Sequence, residues 1–317
     1  MQSDHARLLA KVARLYHERG MRQQEIADTL SMSQARVSRL LKEAVAEGIV
    51  RSVVVLPSGV YTDLEEAVAS AYGLRDVVIV DTDGSGADIT MALGSAAASY
   101  LDVTLTGGDV IGVSTWSASI LAAADSMRRK PQPVADRVIQ LFGGVGNPQA
   151  QVQATRITAR LAHVTGARPV FVPTPGVVGS AGIQRAMMSD PSVSAVCEQW
   201  NEVTVSIVGI GSLSPSPLLE HSGNAFGESD QDDLRSRGAV GDICLRFFDR
   251  VGEPIASAFD DRVVGIRAAD LRRIPRRIAI AGGVAKADAI RASLLGGWVN
   301  VLVTDLAVAQ RLASGVS

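Results

Sequence analysis

Apolar residues recur at helical spacing through the first fifty positions, and beyond them the pattern changes to short Val- and Ile-rich runs separated by longer mixed stretches. Leu8, Val12, Leu15 and Tyr16 fall on one face of a first helix that Gly20 can end. A second helix is predicted from Gln23 to Leu30 with Ile26, Ala27 and Leu30 inward. Ser33 then caps a third that carries Val37, Leu40 and Leu41 inward. Met32 fills the apolar position of the turn between them, and Ser31 stands where such turns more often place a glycine that tolerates a left-handed backbone. Glu47-Gly48 turns the chain into Ile49 to Leu56, a short strand or wing, and Pro57-Ser58-Gly59 reads as a linker.

From Asp63 onward, strands are predicted at Val77 to Val80, Val110 to Val113, Val138 to Phe142, Val170 to Val172, Val203 to Val208, Ile278 to Ala281 and Val299 to Val303. Helical stretches fill most of the gaps, so the fold class is α/β with a mostly parallel sheet. Gly241 to Ile266 departs from the alternation and reads as a β-hairpin followed by an extended run. The Pro-Ser cluster Ser212 to Pro217 is a loop. The expected division is residues 1–57, a small helical head, and 58–317, a larger α/β body.

The second and third helices of the head form a helix-turn-helix pattern. Turning the third helix at 3.6 residues per turn places Ala35, Ser38, Arg39 and Lys42 opposite its apolar side, free to enter a major groove. Gln34 and Arg39 can each make two hydrogen bonds to a base edge, and Arg22, Gln24, Ser33, Arg36 and Lys42 suit phosphates. Gln23, which opens the motif, joins them as a candidate. The same spacing also fits a surface helix pair whose charges are simply solvated.

Charge sharpens this picture. The 317 residues carry a net charge of −2, but the segment through Val60 is net +3 and the remainder net −5. A basic head on an acidic body suits a nucleic-acid-binding domain joined to something else. Cys197 and Cys244 show no metal-ligand spacing with His5, His17, His163 and His221, so neither a metal nor another cofactor is expected. There is no apolar signal core and no apolar run near the ~20 residues a bilayer demands. A cytoplasmic protein without a membrane partner is expected.

Four strand ends run into Gly, Ser or Thr loops that open helices: GVSTWSAS from Gly112, GGVG from Gly143, GIGS from Gly209 and AGGVAK from Ala281. In a parallel sheet such loops converge, and helix amino termini there offer N–H groups to anions. Ser114, Thr115 and Ser117 add hydroxyls, Trp116 an apolar plate that also fits a core, and Lys286 a cation. Asp242, Asp260 and Asp305 can accept sugar hydroxyls or serve as caps and turns. Trp200 and Trp298 read as core and interface residues. No nucleophile stands beside a base, and there is no GxSxG.

The motifs QQEIADTLSMSQARVSRLLKEAVAEGIV, LFGGVG, PTPG, VGIGSL, GAVGDI, FFD, DDRVVGI, IPRRIAIAGGVAKADAI and LGGWVNVLVTDLA, in this order, resemble the SorC family of sugar-responsive bacterial transcription regulators nearly end to end. The resemblance implies a helix-turn-helix head, an effector domain folded like sugar-phosphate isomerases, and a tetramer of paired dimers reading operator DNA. It implies that a sugar, polyol or phosphate ester binds at Ser114, Thr115, Trp116, Ser117, Gly143, Gly144, Asp242, Gly283 and Lys286. Where many members carry glycines in the first loop, this chain reads Ser-Thr-Trp-Ser, which leaves a free polyol or sugar beside a phosphate as the effector.

The leading expectation is therefore a DNA-binding transcription regulator of carbohydrate or polyol catabolism, a repressor, whose operator affinity a small carbohydrate-derived effector controls. An isomerase or lactonase that has acquired a DNA-binding head is the alternative, and a constitutive DNA-binding scaffold with a degenerate pocket is a third reading.

Overall fold

The computed structural model describes residues 2–50, 59–82, 86–145, 148–213 and 227–315. It contains two compact units, Met1–Pro57 and Ser58–Ser317. Among the described residues no helix is long and apolar enough to cross a membrane.

The first unit comprises α1 (Gln2–His17), α2 (Gln23–Thr29) and α3 (Gln34–Ala46). Its core is built from Leu9, Val12, Ala13 and Leu15 of α1, Ile26 and Ala27 of α2, and Val37, Leu40, Leu41 and Ala44 of α3. The apolar face of α1 is thus rotated from the sequence expectation. Leu9 and Ala13 are enclosed, Leu8 is only partly buried, and Tyr16 stays 39% exposed with its ring edge-on to His17. The i, i+4 spacing alone does not distinguish these neighbouring faces; contact with α3 decides it. α2 stops one residue early, with Leu30 as its C-cap. Ser31 adopts φ +50°, the left-handed conformation that its position in the turn demands. The Met32 N–H reaches back to the Ala27 carbonyl at 2.9 Å. Ser33 caps α3 by accepting the Arg36 N–H at 3.3 Å. The expected wing from Ile49 to Leu56 falls mostly on residues 51–58, which lie outside the described residues.

In the second unit a seven-stranded parallel sheet has the order β1-β9-β8-β5-β2-β3-β4. Its strands are β1 (Asp76–Val80), β2 (Asp109–Val113), β3 (Ala135–Gln140), β4 (Arg168–Val170), β5 (Val205–Val208), β8 (Arg276–Ile280) and β9 (Val301–Asp305). Each of the predicted runs is present, with ends that move by up to three residues. Pairing sets those ends: β3 begins at Ala135 because that residue aligns with Asp109, and β9 reaches Asp305 because it aligns with Val80. Phe142, expected in β3, instead makes an isolated antiparallel bridge to Gly265. The expected hairpin is β6 (Gly241–Ile243) with β7 (Arg246–Phe248). It is shorter than its sequence segment, and the following run to Ile266 contributes single bridges and turns.

Two apolar layers flank the sheet. Helices Gly86–Thr104, Ala118–Ser126 and Pro148–Thr165 cover one side through Leu93, Leu101, Ile120 and Leu161, all buried. Helices Thr62–Tyr72, Ala287–Leu295 and Leu306–Ser314 and the hairpin cover the other through Val68, Ile290, Val308 and Phe248. Trp298 is fully enclosed there, its indole N–H donating to the Gly252 carbonyl at 2.7 Å.

Helices Gly86–Thr104 and Ala118–Ser126 cross closely because Gly94 has no side chain. A Cβ at Gly94 would stand 2.5 Å from the Ala122 Cβ and 2.7 Å from its carbonyl carbon. Backbone cannot swing aside as a flexible side chain does. Gly94→Ala is therefore expected to destabilise the second unit by about 1–3 kcal/mol, read as a lower denaturant midpoint with unchanged slope.

Candidate functional site

Chain order along the sheet reverses once near its middle. From β2 the chain adds β3 and β4 on one side, and from β5 it adds β8 and β9 on the other. Loops leaving β2 and β5 therefore part in opposite directions and leave a crevice at the strands' carboxyl ends, the place where open α/β sheets take ligands. Ser114 to Ser117 follow β2, and Gly209 to Gly211 follow β5.

Hydrogen bonds lock these two loops together. The Ser114 N–H donates to the Ile207 carbonyl at 3.1 Å, and the Gly209 N–H donates to the Ser114 hydroxyl at 3.2 Å. Ser117 caps helix Ala118–Ser126, accepting the Ile120 N–H at 3.4 Å. A Cβ at Gly209 would lie 2.9 Å from the Ser117 hydroxyl, so the glycine permits the approach. Between the serines, Thr115 and Trp116 are buried, and neither the Thr115 hydroxyl nor the Trp116 indole N–H has a partner among the described residues. Buried donors without partners cost free energy that a ligand can recover.

Asp242 and Lys286 bring the site's opposite charges together. The hairpin places Asp242 against Gly211, with the Gly211 N–H donating to the Asp242 carbonyl at 2.9 Å. A Cβ at Gly211 would fall 1.9 Å from a carboxylate oxygen of Asp242. The other carboxylate oxygen accepts the Leu245 N–H at 2.9 Å. Lys286, in the turn Val284–Lys286 after β8, donates through Nζ to the Ile210 carbonyl at 3.1 Å. Burial raises the Asp242 carboxyl from 3.8 to about 6, against the opposing pull of the Leu245 N–H and the Lys286 ammonium. Burial lowers the Lys286 ammonium, and Asp242 partly restores it.

Other candidates are already engaged inside the protein. The Gly143 N–H donates to the Val264 carbonyl at 2.9 Å, and its bare Cα is needed because a Cβ would lie 2.3 Å from the Pro175 carbonyl oxygen. Gly144 is buried beside it. The Gly283 N–H donates to Asp305 at 2.6 Å, while the second oxygen of Asp305 caps the last helix by accepting the Val308 N–H at 3.1 Å. Asp305 is thus a cap. Asp260 pairs with the buried Arg246 guanidinium at 2.8 Å, which also binds the Gly265 and Ile266 carbonyls at 2.9 Å. Sequence reasoning missed Thr174, a buried residue of the PTPG run whose hydroxyl also has no partner among the described residues, and the Ile210 carbonyl that receives Lys286. A hydroxyl between two prolines was the available signal for the first; a backbone acceptor leaves none.

In the first unit Arg22, Gln24, Ser33, Gln34, Arg36, Arg39 and Lys42 are exposed, and Gln23 and Ser38 are partly so. Gln24 is tied to Asp28 at 3.0 Å and the Arg39 Nε leans on the Ala35 carbonyl at 3.4 Å. The Arg22 N–H donates to the Glu25 carboxylate at 2.8 Å, but no acidic side chain forms an ion pair with the side chains of Arg22, Arg36, Arg39 or Lys42 among the described residues.

The family model described as "Putative sugar-binding domain" matches residues 59–314. The deoxyribonucleoside regulator of Bacillus subtilis is 31% identical, covering 99% of each chain. The sorbitol operon regulator of Klebsiella pneumoniae is 29% identical over 98% of each, and the crystal structure of full-length SorC from that organism superposes with a TM-score of 0.74 at 27% identity, covering 98% of this chain and 99% of that one. The chain belongs to the SorC family of sugar-responsive bacterial transcription regulators.

These relatives are regulators, so the isomerase or lactonase alternative gives way. In this SorC-family protein Asp242 adds a pH dependence to folding. Its carboxyl holds a proton to about pH 6 when folded but to 3.8 when unfolded. The folded state binds more protons in that window, so the stability contributed by Asp242 is fully present below it, declines as pH rises through it, and is lost above it. Asp242→Asn should remove that decline. Denaturant titrations from pH 4 to 7 are expected to show the variant gaining roughly 1–3 kcal/mol on the parent across the window; parallel curves would place the carboxyl in a water-like setting.

Proposed function

We propose that α3 reads operator DNA and that the loop ends of the sheet bind an uncharged sugar or polyol that sets operator affinity. The protein is a DNA-binding regulator of carbohydrate or polyol catabolism responsive to a small sugar-derived effector. The finer reading of the effector rests on the charge balance of its site. Among the described residues one ammonium, Lys286, faces one carboxylate, Asp242, and the N–H groups of Gly143 and Gly283 that would cradle a phosphate already have internal acceptors. A dianionic phosphate would meet Asp242 without a surplus of cations, whereas vicinal hydroxyls can donate to Asp242 and accept from Lys286, Thr115 or Trp116. Sorbitol in the name of one relative is a polyol of this kind.

Regulation then follows from linkage. The reading includes a homo-oligomer, a tetramer of paired dimers, in which two recognition helices must stand ~34 Å apart to engage one face of the duplex. An effector that prefers one quaternary arrangement by ~1–3 kcal/mol shifts operator affinity about 5- to 150-fold. Sedimentation with and without operator tests the assembly; a monomer on DNA would rule this lever out.

Thermal melts of the full chain against paired free and phosphorylated sugars and polyols test the ligand reading. A free polyol at a hundred times its dissociation constant is expected to stabilise by about 2.7 kcal/mol. A response confined to phosphate esters would overturn the uncharged-ligand assignment. Asp242→Asn should weaken the free polyol at least tenfold at pH 7.5, and parent affinity should fall as pH drops through about 6. Lys286→Ala should cost a neutral effector little, because the Thr115 hydroxyl and the Trp116 N–H remain as donors; a large loss confined to phosphorylated compounds would again favour the ester. For the DNA side, Arg39→Ala is expected to lose about 1–3 kcal/mol of operator discrimination with effector affinity unchanged. Operator binding and discrimination unchanged in the variant would remove this helix from base readout.

A further inference from the structure

At the opposite end of the sheet from the effector loops, three arginines gather without a carboxylate. Arg75 precedes β1 and Arg277 lies in β8, and β9 runs between these strands. Asn300 fixes both at one level: its carbonyl accepts the Arg75 N–H at 2.8 Å, its side-chain oxygen accepts the Arg277 N–H at 2.7 Å, and its own N–H donates to the Arg277 carbonyl at 2.9 Å. Residues level with each other on neighbouring parallel strands project to the same side. Arg75 and Arg277 alternate in step with Val77 and Ala279, so both project to the Trp298 side of the sheet. Arg272, from helix Ala268–Arg273, stands there too, its guanidinium 6.0 Å from the Trp298 ring centre.

Nothing acidic answers them among the described residues. Asp270 is paired with Arg273 at 3.1 Å. Asp76 projects to the other side, where it is hydrogen-bonded with Tyr100; the charge of Arg75, at the end of its strand, is felt at Tyr100 as well as at Arg277, but no ion pair joins it to Asp76 among the described residues. Arg277 is half-buried; one terminal nitrogen donates to the Ile274 carbonyl, and its buried Nε has no partner among the described residues. The three charges are felt within the fold, since burial first and then Arg75 and Arg272 lower the Arg277 guanidinium. Other arginines of this unit find carboxylates, among them Arg137, Arg262 and Arg276. Here the guanidinium groups stay together at a cost in repulsion.

We propose that Arg75, Arg272 and Arg277 form a second anion site, separate from the effector crevice, that takes a phosphoryl group as free phosphate or as a small phosphate ester. Guanidinium donors match the tetrahedral oxyanion in geometry and charge, and Arg277 Nε is a donor already turned from water. Binding stabilises the fold by removing the repulsion, and it does so without involving Asp242 and Lys286.

Melting of the full chain in inorganic phosphate, in glycerol 3-phosphate and in sodium chloride at matched ionic strength tests this. Phosphate at several times its dissociation constant should raise Tm by about 2 °C beyond chloride. Response to both phosphates identifies the phosphoryl group as the feature bound, and response to the ester alone adds its organic part; both support the site provided the arginine variants abolish them. Arg75→Gln, at an exposed position, and Arg277→Gln should each melt at or above the parent without phosphate and lose the phosphate response, while Lys286→Ala keeps it. A Tm that tracks ionic strength alone overturns the proposal. So does a phosphate response that survives both arginine variants, or one that disappears with Lys286→Ala.

Discussion

The candidate effector site depends on a single topological fact, the reversal of strand order between β2 and β5. Were the order monotonic, the helix after each strand would cover the mouth of the next. Because the chain departs in opposite directions from these two strands, the Ser114–Ser117 and Gly209–Gly211 loops meet with a crevice between them. Three polar contacts are arranged about that junction. The Gly209 N–H bonds the Ser114 hydroxyl across it, the hairpin sets Asp242 against Gly211, and Lys286 reaches over to the Ile210 carbonyl. Glycine is required at 209 and 211 by close approach to Ser117 and Asp242, which is a packing reason before it is a binding one.

Burial gives this junction its chemistry. Asp242 and Lys286 are each pushed toward neutrality by desolvation and held partly charged by each other. Such a pair is costly to build, and a hydroxyl-rich ligand reduces that cost by supplying donors and acceptors in place of water. A second negative group placed beside Asp242 does the reverse.

Much of this was legible in the sequence where local chemistry and pattern agree. Ser33 as a cap, Ser31 in a left-handed turn and the apolar runs of the sheet all follow from residue type and spacing. What escaped was decided by contacts across the fold. The face of α1 shifted to Leu9 and Ala13, and Phe142 left its strand for a bridge to Gly265. The hairpin could be placed by segment but not by its turn, since Cys244 and Leu245 carry positive φ of 54° and 63° where Asn-Gly would have announced it. Nor can a sequence show which N–H groups are already spent; Gly143 and Gly283 look like anion cradles until their acceptors, Val264 and Asp305, come from distant parts of the chain.

That hairpin turn has a bearing on how ligand binding can be felt beyond the crevice. Left-handed conformations at two adjacent non-glycine residues cost roughly 1–2 kcal/mol each, and both side chains are buried, so packing and hydrogen bonds must hold the turn. One of those bonds is the Leu245 N–H to the Asp242 carboxylate. A ligand that draws on the same carboxylate changes the support of the strained turn directly. The next residue, Arg246, ties the turn to the Asp260, Gly265 and Ile266 backbone carbonyls. Gly265 in turn bridges Phe142, two residues beyond β3. A contact made at one carboxylate is therefore linked, through the strained turn and the Arg246 hydrogen bonds, to the segment that bridges Phe142, and a ligand that favours one state of that turn over another has these bonds to act on.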